Sequence, residues 1–118
     1  MRQPARFARE IGTLRAPCYH LIASWLRANG VPHVPSDSAA RRRWVFDGSE
    51  AGARWAAAQI GLVERAPEPG DVCLIEQKGA EPLLAIVVDD KNAVARAFGR
   101  LFIGQAKITV SWGLPCQQ

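Results

Sequence analysis

The residues of this 118-residue chain whose side chains could carry nucleophilic or metal chemistry are few: Cys18, Cys73, Cys116, His20 and His33. The cysteines are widely spaced and form neither a Cys-x-x-Cys pair nor a Cys/His set at metal-ligand spacing, so no metal site and no cofactor are expected. Cys18 stands apart because it follows Pro17 in the stretch RAPCYHLIASWLRANG, residues 15–30, where a helical pattern begins. A thiol is mostly protonated near neutral pH and becomes a nucleophile when a helix N-terminus and a neighbouring imidazole lower its pKa. The helix start is present at Cys18. The imidazole is harder to find: His20 lies two positions on, about 200° round a helix, and His33 sits between prolines in a loop. Free, buried cysteines that behave as small hydrophobes are the competing expectation for all three thiols.

The elements that would position Cys18 are set by periodicity. Cys18, Leu21, Ile22, Trp25 and Leu26 fall at spacings of three and four, one face of a helix that Pro17 can open and Asn29-Gly30 can close. VPHVPSDS is a loop. A second helix is expected from the caps Asp47-Gly48-Ser49 to about Ile60, ended by Gly61, with Trp55 as its apolar bulk and Ala53, Ala56 and Ala57 permitting close packing. Beyond the turn APEPGD the pattern changes to short runs rich in Val, Ile, Leu or Phe: VCLIE, LLAIVVDD, AVARAF, GRLFIG and KITVSW. Their short connections leave no room for crossover helices, so four or five strands should form an antiparallel meander. The fold class expected is α+β: N-terminal helices packed on a C-terminal antiparallel sheet, with Trp25, Trp55, Leu74, Ile86 and Val88 in the core.

Composition and charge narrow the function classes. At 48% hydrophobic and 22% charged the chain suits one domain with a modest core, residues 15–118, preceded at residues 1–14 by an arm in which Arg alternating with Phe, Ile and Leu suggests a short amphipathic helix or an extended segment. It holds no apolar run long enough to span a bilayer and no secretory signal pattern, and is read as soluble and unprocessed. The net charge of +4 comes wholly from residues 1–65, where ten Arg face five acids. Arg2, Arg6 and Arg9 in the arm and the cluster Arg41, Arg42 and Arg43 are the candidate partner-binding residues, because the planar guanidinium suits carboxylates, phosphates and protein interfaces. The arm, too small to bury much surface, is expected to order only against another chain. Nucleic-acid binding through Arg41–Arg43 is the weaker option, since no helix-turn-helix, zinc finger or RNP-like aromatic pattern accompanies them.

A helix opening on cysteine, then Pro69-Gly70-Asp71-Val72-Cys73-Leu74-Ile75 and an antiparallel sheet, resembles the NlpC/P60 group of papain-like cysteine peptidases. Gly99-Arg100-Leu101-Phe102 and Ser111-Trp112-Gly113-Leu114 extend the likeness to a phage-encoded branch of small domains, over about residues 15–114. The resemblance implies that Cys18 holds the nucleophile position. It also implies that the base histidine opens the second strand and that a polar residue on the next strand orients it. Here the matching stretch is Leu83-Leu84-Ala85-Ile86, so Leu83 takes the histidine's place, and Pro17 stands where the group has Asp.

With its base replaced, a chain of this resemblance is expected to be a pseudoenzyme with a vestigial Cys18. The expected function is structural or adaptor work in a phage tail tip or baseplate, in the virion tail, with other tail hub or baseplate proteins as partners. The alternative is an active cell-wall cysteine peptidase or amidase acting on peptidoglycan during DNA entry. In either case Leu83 or Leu84 is expected beside Cys18.

Overall fold

The computed structural model describes residues 3–10, 18–31, 50–80, 82–97 and 100–114. Three helices come first among them: α1 (Pro4–Glu10), α2 (Cys18–Ala28) and α3 (Glu50–Gln59). Six strands come after: β1 (Val63–Glu64), β2 (Val72–Ile75), β3 (Leu83–Val87), β4 (Asn92–Ala97), β5 (Arg100–Gln105) and β6 (Ile108–Gly113). The architecture is α+β, with every strand pair antiparallel.

Local chemistry explains the helix ends. Past α2, Gly30 at φ 84° lets its own N–H reach Arg27 O at 3.1 Å and the Val31 N–H reach Leu26 O at 3.0 Å, a Schellman closure. Gly61 at φ 82° closes α3 in the same way, with Leu62 N donating to Ala57 O at 3.0 Å.

The N-terminal segment is helical over Pro4–Glu10, and it packs on its own domain where ordering against another chain was expected. Pro4 opens α1, where its missing N–H costs nothing, and Phe7 and Ala8 are buried in the core. Phe7 packs edge-on against Trp25, with ring centroids 5.2 Å apart. Residues 4–10 are thus a helix of the domain itself, because an aromatic at the fourth helical position can reach α2 even from a short element. Arg6 and Arg9 remain on its exposed side.

The strand order is β1-β6-β2-β3-β4-β5. β2 to β5 form the expected meander, but β6 returns to insert between β1 and β2, so the whole sheet is not one. β1 is an addition to the expected strands. Two residues long, it carries no alternation to read and exists because Val63 and Glu64 pair with Gly113 and Trp112 of β6.

This order forces the sheet to curl. Strands spaced about 4.8 Å apart would put β5 and β6 about 19 Å apart in a flat sheet. Only Ala106 and Lys107 join them, and three Cα steps reach about 11 Å. The sheet therefore bends, and two buried clusters result. On one side α1 and α2 pack on β3, β4 and β5, and Leu21, Ile22, Trp25 and Leu26 meet Leu74, Leu84, Ile86, Val94 and Trp112. On the other side Cys73, Ile75, Ala85, Val87, Ala93 and Ala95 close on one another, with Leu83, Ala106 and Ile108 against them. Small side chains suit the inside of a tight bend.

Trp55 is not in the core. It is 51% exposed. The buried face of α3 is Gly52, Ala53, Ala56 and Ala57, a face of small side chains, and the helix turns its one large ring outward. Trp25, Leu74 and Ile86 are buried as expected, and Val88 is half-buried against the same cluster.

Candidate functional site

Cys18 is the first residue of α2, and α2 lies across β3 and β4. The side chains of Cys18 and His20, and all of His33 and Cys116, lie outside the described residues, as do Arg2, Arg41, Arg42 and Arg43. The described residues do show the surface that β3 and β4 present to α2.

At the start of β3, alternation decides which leucine meets the helix. Leu84 and Ile86 belong to the cluster that contains Leu21, Ile22 and Trp25. Leu83 packs on the opposite side, with Cys73 and Ile75. Of the two leucines it is Leu84 that shares the helix side of the sheet. The register Ile75↔Leu83 and Leu74↔Leu84 against β2 sets this choice.

β4 supplies the polar group. Val94 pairs with Ile86 on the helix side, and Arg96, two residues further along β4, shares that side and is 3% exposed. Sequence reasoning missed Arg96 as a site residue, although one charge in the middle of the small apolar run AVARAF was visible. A guanidinium offers donors and no acceptor, so it does not serve as the base for a thiol. It can donate hydrogen bonds or stabilise an anion.

The turn before β2 is the best-built polar cluster. Asp71 is 1% exposed and accepts two bonds from Arg65, Nε to Oδ2 at 3.0 Å and Nη2 to Oδ1 at 2.7 Å. Its Oδ2 also accepts the Glu68 N–H at 3.1 Å. The Glu68 carboxylate reaches Arg65 Nη2 at 3.0 Å. These partners hold the Arg65 guanidinium above its ordinary pKa, chiefly through the hydrogen bonds to Asp71. Gly70, at φ 92°, donates to Val87 O at 2.8 Å and accepts the Trp25 indole N–H on its own carbonyl at 2.8 Å. The Gly70-Asp71 pair therefore ties together α2, β3 and the segment that leaves β1. That work is structural, with one guanidinium shared between two carboxylates.

Cys73 is fully buried inside the bend, and desolvation, with a smaller contribution from the Asp71 charge, pushes its thiol up to about 12. It is inert as a nucleophile. Among the described residues no group of His, Cys, Asp and Glu could hold a metal ion, and no helix is long and apolar enough to cross a membrane. A shallow cleft of about 540 Å³ lies between Asp90-Lys91 and Gln105–Ile108, against Pro67. Its lining holds Lys91, Lys107 and the Asp90 carboxylate, and no thiol, hydroxyl or imidazole.

Comparison with family models, with curated proteins and with solved structures finds no match to the chain.

Proposed function

We propose that this chain is a non-catalytic structural or adaptor component of a phage tail tip or baseplate, built on a degenerate NlpC/P60-like fold. The observation that carries the non-catalytic part is the chemistry opposite α2. Where a cysteine peptidase needs an imidazole, β3 turns Leu84 and Ile86 toward the helix, and the ionisable group on the neighbouring strand is the buried guanidinium of Arg96. An apolar neighbour raises a thiol's pKa, and a helix dipole alone does not replace the missing base. The tail setting rests on the sequence resemblance. The exposed arginines Arg6 and Arg9 on α1, with Arg41–Arg43, are its candidate docking residues.

The test has two arms. Purified chain and a Cys18→Ala variant are incubated with peptidoglycan, and release of stem-peptide fragments is monitored. Equal, background release from both is expected; release that depends on Cys18 overturns the pseudoenzyme reading and restores the peptidase. In the second arm the chain is mixed with tail-tip and baseplate proteins of the same phage. Co-elution in a defined complex is expected, and failure to bind any of them overturns the adaptor reading.

A further inference from the structure

The two edges of the sheet are unlike. β1 is two residues long, so one edge is blunted by brevity. The other edge is β5, six residues paired to β4 without a bulge from Arg100 to Gln105. Natural sheets protect long edges with Pro, Lys, inward charges or bulges, because a bare row of N–H and C=O groups templates another strand. Arg-Leu-Phe-Ile-Gly-Gln has no Pro, no Lys, no acid and a single charge at its end. Among the described residues, Leu101–Gly104 make no backbone hydrogen bond outside the β4 ladder.

Phe102 adds a second observation. It is 42% exposed, the largest exposed apolar side chain of the strand. Its ring lies 3.7 Å from where a Cβ on Gly104 would sit. The ring therefore shields the bare backbone of that glycine and makes the strand a continuous apolar surface at its middle.

We propose that β5 is a homotypic interface, pairing antiparallel with β5 of a second copy of this chain about a two-fold axis at Phe102. Pairing about that axis keeps every side chain on its own face of the joined sheet. Phe102 then meets Phe102 of the second copy, Leu101 meets Ile103, and Arg100 lies opposite Gly104. The charge pattern favours this occupant: Arg100 faces a residue with no side chain, and no like charges are opposed. The inference stands independently of the tail-adaptor reading.

The experiment is sedimentation equilibrium on the full chain over a concentration series, with circular dichroism to confirm that each variant is folded. The wild type is expected to be a dimer at high concentration. Phe102→Lys sets two ammonium groups against each other at the axis and is expected to weaken association by about tenfold or more. Phe102→Glu is expected to do the same. An equimolar mixture of the two variants is expected to recover a heterodimer, since each lysine then faces a glutamate. A wild type that stays monomeric throughout overturns the proposal, as does a dimer that both variants leave intact. A mixture no tighter than either variant alone overturns the axis at Phe102.

Discussion

Arg65 holds Asp71 in a two-point clamp in which the carboxylate is buried and the guanidinium is about half exposed, its side chain at 45%. The asymmetry predicts unequal mutants. Arg65→Ala leaves a buried carboxylate with only the Glu68 N–H, and should cost about 2–3 kcal/mol; Asp71→Asn keeps a hydrogen-bond acceptor and returns Arg65 to water, at about 1–2 kcal/mol. Urea midpoints at unchanged slope give both numbers. An Arg65→Ala protein as stable as wild type would show that the clamp contributes nothing.

Gly113 should be coupled to the same pair. A Cβ at this position would stand 2.5 Å from Arg65 Nε and 2.6 Å from Cζ, so alanine must displace the guanidinium. Gly113→Ala is expected to destabilise by about 1–2 kcal/mol. In the Arg65→Ala background most of that cost should vanish, which a double-mutant cycle measures directly.

The two helical tryptophans should respond in opposite ways. Trp25→Phe removes the indole N–H that Gly70 O accepts at 2.8 Å and leaves a void in a fully buried site. The expected cost is about 2–3 kcal/mol. Trp55→Ala, on the exposed face of α3, should shift stability by no more than about 0.5 kcal/mol. Thermal unfolding of the two variants side by side checks the contrast.

Cys73 makes stability fall in alkaline solution. Its thiol holds its proton up to about 12 when folded, whereas in the unfolded chain it ionises near 8.5. Below the unfolded value both states are protonated and pH has no effect through this group. Between the two values the folded state binds the extra proton, so stability declines as pH rises. In a Cys18→Ala, Cys116→Ala protein, where Cys73 is the sole thiol, the slope should appear above about pH 8.5 and disappear on Cys73→Ala. The same protein should resist a thiol reagent at pH 8 until denaturant is added.

The sequence made some of these relationships readable and hid others for physical reasons. The α2 face, Leu21, Ile22, Trp25 and Leu26, was legible because apolar residues at three- and four-residue spacing have one way to be buried together. Trp55 was misplaced by the same logic: bulk suggests burial, but the buried face of α3 is the small one, Gly52, Ala53, Ala56 and Ala57, and Trp55 lies off it. β1 was invisible because two residues have no period, and its pairing depends on β6, about 50 residues on. The choice between Leu83 and Leu84 turned on strand register, which a run of consecutive apolar residues does not encode. The buried place of Arg96 is a tertiary fact, set by helices that pack over β4.

The insertion of β6 between β1 and β2 has a consequence for how the chain is made. While the protein is being synthesised, β2 to β5 can assemble from neighbouring hairpins as each emerges. β1 and the far side of β2 must wait for their partners in Ile108–Gly113, which lie about 50 residues beyond β1 and about 35 to 40 beyond β2. Until then Val63 and Glu64 have no ladder, Ser111 is not yet there to donate its hydroxyl to the Arg65 carbonyl, and the apolar sides of Val72 and Leu74 lack Trp112 and Val110. The nascent chain therefore passes through an interval with an open strand edge in its middle, closed only when β6 arrives, and that interval is where misassociation between growing copies is most exposed.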